Sequence, residues 1–210
     1  MNIIGPDSLV FGVDDVDACT QYFSDYGLEP VGDGRFEALD GTSVVIKPRD
    51  DASLPPVLET GNMLRKTVYG VADQATLDAI AAELGTDRDV KQLEDGSLEC
   101  ADDLGFALGF QVTVRRDISL PAETVNSPGA PPQRPENVIG VEPGADPKPR
   151  TLSHVVYFAP DAEKFEAFYA NRLGFVTTDR FTGVGPFMRP AGTNEHHTLF
   201  CIQTPPFMQG

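Results

Sequence analysis

Short runs of β-branched and aromatic residues alternate along the chain with stretches whose apolar positions recur every three or four residues. Four octapeptides carry the first pattern: SLVFGVDD (8–15), KTVYGVAD (66–73), HVVYFAPD (154–161) and HTLFCIQT (197–204), each with an aromatic residue at its fourth position. The first three end in aspartate, the residue type wanted at a helix N-cap. Amphipathic stretches open from Asp15 (DVDACTQYFSDYGLEPV), Asp73 (DQATLDAIAAELG) and Asp161 (DAEKFEAFYANRLGFV), each with a glycine stop. Phe165, Phe168 and Tyr169 fall at i, i+3 and i+4 and are expected to pack onto a sheet rather than to touch substrate. Further strand-like runs follow the helices, GRFEALD, TSVVIKP, GSLECAD and FALGFQVTV, punctuated by DG, GT and DD turns. The predicted unit is β-α-β-β-β and the fold class is α+β.

Between Ile118 and Arg150 the pattern lapses into a segment dense in Pro and Gly, which runs extended over a surface because proline fixes φ and removes a ladder donor. The predicted organisation is therefore an N-terminal domain of two modules (1–117), a linker (118–150) and a C-terminal domain (151–210). That last domain is expected to hold a third module plus the first strand of a fourth, HTLFCIQT, and to be incomplete.

Charge narrows the partners. With 16 Lys+Arg against 32 Asp+Glu, the net charge of -16 disfavours phosphate backbones and anionic lipid. Neither a secretory leader nor a membrane-length apolar run is visible, and Cys19, Cys100 and Cys201 are odd in number and far apart, as expected of reduced, buried thiols. A cytoplasmic protein is expected. Other motifs carry little: GVGPF (183–187) lacks a phosphate loop's Lys-Ser/Thr and is taken as a turn, Asp50-Asp51 and Asp102-Asp103 as solvated turns, and no GxSxG elbow exposes a nucleophile.

The chain has three histidines, two of them side by side in NEHHTLFCIQ (194–203). The distance from His154 to His197 is 43 residues, the same as from Lys66 to Gly109 in the preceding module. LSHVVYFAPDAEKFEAFYANRLGF, followed by FMRPAGTNEHHTLF, resembles the vicinal oxygen chelate superfamily, and within it the type I extradiol dioxygenases, built from four βαβββ modules. The resemblance covers Leu152 to Ile202 directly and the N-terminal half through its module pattern. It implies that His154 and His197 are metal ligands and that His196 orients its surroundings by hydrogen bonding. Ser8, Lys66 and Gly109 then occupy the corresponding N-terminal positions, and none of the three suits a divalent ion, so that half is expected to be metal-free.

Two neutral imidazoles and one carboxylate on one face of Fe(II) leave three positions open for a catecholate and dioxygen. The resemblance thus implies Fe(II), with Mn(II) or Zn(II) as alternatives, and extradiol cleavage of a small aromatic diol by dioxygen in an enzyme that is often oligomeric. In the family the carboxylate lies on the last strand of the fourth module, about 43 residues or more beyond His197 by the module spacing, and the acid/base histidine and tyrosine lie in that module's helix and later strands. The chain is accordingly expected to be a piece of a longer protein, with completion by another chain as the alternative. Two other functions compete: a non-catalytic binder of aromatic ligands on the same fold, and a glyoxalase-type isomerase using zinc or nickel.

Overall fold

A computed structural model describes residues 1–58, 63–121, 125–140 and 144–205. Its first module comprises β1 (Ile3–Val13), α1 (Val16–Asp25), β2 (Glu29–Gly32), β3 (Arg35–Glu37) and β4 (Ser43–Pro48). The second comprises β5 (Leu64–Val71), α2 (Gln74–Leu84), β6 (Lys91–Gln92), β7 (Leu98–Ala101) and β8 (Ala107–Val112). The third comprises β9 (Val155–Ala159), α3 (Ala162–Leu173), β10 (Phe175–Phe181), β11 (Gly185–Pro190) and β12 (Leu199–Gln203). The described part of 118–150 contains no helix or strand.

The helices begin where capping chemistry dictates. The carboxylates of Asp15, Asp73 and Asp161 accept from the backbone N–H of Ala18, Thr76 and Lys164, satisfying donors that the first helical turn leaves unpaired. Gly174 ends α3 at φ 74°, a left-handed conformation that favours glycine. No helix among the described residues is long and apolar enough to cross a membrane.

In every module the first strand pairs parallel with the last: β1 with β4, β5 with β8, β9 with β12. Modules 1 and 2 join through antiparallel β1 and β5 into one eight-stranded sheet, β2-β3-β4-β1-β5-β8-β7-β6. Module 3 forms a separate four-stranded sheet, β10-β11-β12-β9. This pairing corrects one expectation. HTLFCIQT does not open a fourth module; as β12 it is the closing strand of the third, with Leu199 opposite Val155 and Cys201 opposite Tyr157. Its alternation matches a first strand because both kinds of strand pack one face on a helix, so pattern alone cannot tell them apart.

One core spans modules 2 and 3. The helix-bearing face of β5 and β8 meets that of β9 and α3, burying Tyr69, Phe106, Phe110, Tyr157, Phe165, Phe168, Tyr169 and Phe175. Thr67 and the Tyr157 hydroxyl are hydrogen-bonded across this seam, and Phe106 stands edge-on to Tyr157 with ring centroids 4.8 Å apart. Phe165, Phe168 and Tyr169 thus pack as their spacing predicted. Arg172 on α3 adds ion pairs to Glu83 (2.6 Å) and Asp87 (2.7 Å) at the solvent-screened rim, where such pairs contribute little. A smaller core of Val13, Leu28, Phe36, Ala38 and Ile46 underlies α1.

Asp102 departs from its expected solvated turn. Only 6% exposed, its Oδ1 accepts from the backbone N–H of Leu104 (2.8 Å) and Phe106 (2.9 Å), tightening the turn that delivers Phe106 to the core. Oδ2 has no hydrogen-bond partner among the described residues. Burial pushes the carboxyl up to about 6 against those backbone bonds. The folded protein therefore holds this proton more tightly than the unfolded chain, and stability present below about pH 4 is lost as pH rises through about 6, by on the order of 3 kcal/mol. Asp102→Asn, which keeps the Oδ1 acceptor, is expected to remove that loss and melt higher than the parent at pH 8. Thermal melts at pH 4.5 and 8 check it; an equal or lower melting temperature at pH 8 refutes the assignment.

Candidate metal centre

Pinning of the linker's end fixes where β9 begins. Leu39 and Asp40 donate their backbone N–H to the carbonyls of Pro149 (3.0 Å) and Arg150 (3.1 Å), and Leu152 N–H donates to Thr42 Oγ1 (2.7 Å). Arg115 reinforces this by donating to the carbonyls of Pro6 (2.9 Å) and Leu152 (3.3 Å) while pairing with the fully buried carboxylate of Asp7. Asp7 also accepts from Gln111, Thr113 and the backbone of Val114, so the buried charge is satisfied. A Cβ on Gly70 would fall on this carboxylate, which is why the strand carries glycine there.

Beyond this anchor, Val155 N–H donates to the Thr198 carbonyl (3.0 Å), locking the start of β9 to the start of β12. His154 and His197 each lie one residue before a member of that pair. Their rings come together, centroids 5.0 Å apart and planes tilted by 52°. His154 is exposed, with Ser153 Oγ 3.3 Å from its Nδ1. His197 is partly buried, and this burial, then the imidazoles of His154 and His196, hold it below the usual histidine value. His196 is exposed. Its Nδ1 is 3.0 Å from His197 Nδ1, its carbonyl accepts from Thr178 Oγ1 (2.7 Å), and its Nε2 is 3.9 Å from Asp179. With His197 Nδ1 engaged by His196, its Nε2 is left for another partner.

Sequence reasoning missed the wall beside the pair. Phe187 lies 4.9 Å from the His197 ring and stacks on Phe200 at 4.0 Å and 6°, with Phe181 edge-on to Phe187 at 5.0 Å. These rings occupy the sheet face opposite α3, along with Val156 and Phe158, which are 39% and 42% exposed. The available signal was the register of FCI against GPF, hidden because GVGPF looked like a turn. The turn is shorter, and Gly185–Pro190 is strand. On the other side of His154 lies a cavity of about 330 Å³, walled by Tyr22, Tyr26, Val44 and Leu152.

Two neutral imidazoles on one locus suit a divalent first-row ion as two of its donors. The set is short of a triad: no group of three His, Cys, Asp or Glu able to hold a metal occurs among the described residues, and Glu195 is exposed. In the N-terminal half the position equivalent to His154 is Lys66, whose ammonium pairs with Glu99 (2.8 Å). Strand pairing alters one correspondence. Leu108 opposes Thr67 as Leu199 opposes Val155, so Phe106 rather than Gly109 is the counterpart of His197.

No protein-family model matches this sequence, and comparison with curated proteins returns no match. Solved structures do match. A Mn(II)-bound glyoxalase from Novosphingobium aromaticivorans superposes with a TM-score of 0.68 at 19% identity, covering 98% of this chain and 63% of that one. The 2,3-dioxygenase LapB from Pseudomonas sp. KL28 gives 0.64 at 15% identity, over 98% and 72%. The 2,2',3-trihydroxybiphenyl 1,2-dioxygenase from Sphingomonas wittichii strain RW1 gives 0.62 at 20% identity, over 97% and 68%. This chain therefore has the α+β fold of these glyoxalase and dioxygenase structures, in three βαβββ modules among the described residues, and spans roughly two thirds of the length of these structures.

The geometry predicts the titration of His197. Its ring is expected to lose its proton below pH 6.5, and His154→Ala, which removes one of the depressing imidazoles, to move the midpoint back up. Proton NMR of the ring Hε1 signals against pH measures both; a midpoint above 6.5 in the parent contradicts the arrangement.

Proposed function

We propose that this chain carries the histidine-bearing part of a metal-dependent site that cleaves a small aromatic diol beside its hydroxyl groups, using dioxygen. The observation that carries the reading is the convergence of His154 and His197 next to the Phe187–Phe200 stack, on a fold shared with extradiol dioxygenases and a glyoxalase. His154 and His197 would hold Fe(II), or else Mn(II) or Zn(II), with a carboxylate from outside the described residues. Such an ion would supply Lewis acidity, and iron or manganese also a redox-capable anchor for a diol. The chain's own groups supply the rest. Phe187 and Phe200 offer flat apolar surface to an aromatic ring. His196 fixes the orientation of the His197 ring through Nδ1, leaving Nε2 for the ion. Both atoms of dioxygen enter the product, a ring-opened hydroxy acid bearing an aldehyde or ketone. The free thiols and acidic surface suit a reducing cytoplasm.

A second reading rests on the exposed aromatic wall, which would hold a planar ligand without chemistry. One experiment separates the two. The protein is loaded anaerobically with Fe(II), then given catechol or 2,3-dihydroxybiphenyl and air. Retained iron and a yellow product are expected, with His154→Ala losing at least about tenfold in iron affinity and remaining colourless. No colour together with no iron by elemental analysis overturns the catalytic reading in favour of the binder.

A further inference from the structure

We propose that Asp179 on β10 decides which ring nitrogen of His197 carries the proton, acting through His196 so that His197 Nε2 is left bare. The use of that bare nitrogen for an ion rests on the metal site proposed above; the tautomer itself does not.

The contact between the adjacent histidines permits only two neutral arrangements. Their Nδ1 atoms are 3.0 Å apart and their rings stand perpendicular, centroids 5.3 Å apart. A neutral imidazole has one N–H and one lone pair, so one Nδ1 must donate and the other accept. In the first arrangement His197 donates from Nδ1, and His196 accepts there and carries its own proton on Nε2. In the second the roles reverse, and His197 carries its proton on Nε2. Each arrangement contains one ring of each tautomer, so the preference of an isolated imidazole cancels between them. A group outside the pair must therefore decide.

Asp179 is placed to do so. Its Oδ2 lies 3.9 Å from His196 Nε2. The first arrangement turns an N–H toward this carboxylate, whereas the second turns a lone pair toward it. The strand is shaped to hold the group there. Thr177 faces Met188 and Asp179 faces Phe187, so Thr178 is the extra residue of a β-bulge, a device that re-aims side chains. Its hydroxyl donates to the His196 carbonyl (2.7 Å), tying that residue to β10 beside Asp179. Phe187, opposite Asp179 in register, has its ring 6.0 Å from that of His196 and 4.9 Å from that of His197, which confines both imidazoles. Arg180 directs its guanidinium to both oxygens of Glu166 (2.6 and 2.7 Å), and only its backbone N–H meets Asp179 Oδ1 (2.7 Å). Asp179 is thus a positioning residue: its charge reaches His197 only through the intervening ring.

Long-range proton–nitrogen NMR correlations of the full chain without metal, at about pH 8.5 where ordinary histidines are neutral, separate a bare ring nitrogen from a protonated one. His197 is expected mainly with its proton on Nδ1 and His196 mainly on Nε2. Asp179→Asn keeps the acceptor for the Arg180 N–H and removes the charge. It is expected to raise the ratio of the Nε2–H to the Nδ1–H form of His197 about two- to fivefold, the scale of an exposed electrostatic contact. Asp179→Glu is expected to keep the parent ratio, and His154, outside the relay, to stay unchanged in both variants. A parent His197 mainly protonated on Nε2, a ratio indifferent to Asp179→Asn, or an equal shift at His154 would each overturn the proposal. Iron affinity of the same variants is read separately. A shifted ratio with unchanged iron affinity supports the relay and counts against His197 as an iron ligand, so the two ideas fail independently.

Discussion

Tyr157 reaches from β9 to Thr67 on β5 and packs edge-on against Phe106, which the Asp102 turn holds in place. This contact gives the third module its seat on the second. Because β9 is fixed through its helix-bearing face, its opposite face and its first residue are fixed as well, and that residue is adjacent to His154. The histidines are thus oriented from behind by an aromatic seam with no chemistry of its own. Burying rings of this size contributes roughly 2 to 3 kcal/mol each, far more than the ion pairs at the rim.

Much of this architecture was legible in the chain. Three aspartates before amphipathic stretches located three helices, and the octapeptide pattern located the strands that flank them. The resemblance at His154 led to the right fold, and the imidazoles it singled out do come together. Three features stayed hidden for physical reasons. The role of β12 depends on a parallel partner 44 residues earlier at Val155, and single-strand periodicity carries no information about partners. Asp102 sits in a DD pair that looks like any polar turn, and only tertiary packing shows one carboxylate turned inward. The Phe181, Phe187 and Phe200 cluster draws on three strands, so no local window contains it.

The two halves of the molecule solve one geometric problem with different side chains. At the strand position where module 3 carries His154, module 2 carries Lys66 and neutralises it with Glu99, and module 1 carries Ser8, hydrogen-bonded to Ser43 at 3.1 Å. An ion pair and a hydroxyl pair satisfy each other within the fold, whereas paired neutral imidazoles retain lone pairs for something further. Duplication of the scaffold therefore separates support from chemistry: one sheet is internally satisfied, and the other presents donors.

The linker's attachment has a mechanical corollary. Its middle, 125–140, is exposed except at the half-buried Arg134, while its final residues are stitched to the 39–42 turn and the halves share a buried core. The covalent connection is thus redundant for holding the halves together once they have met. A single proteolytic nick in that stretch would leave a two-piece complex in which the fragments remain associated, and the connecting peptide serves chiefly to raise the local concentration at which they first find one another.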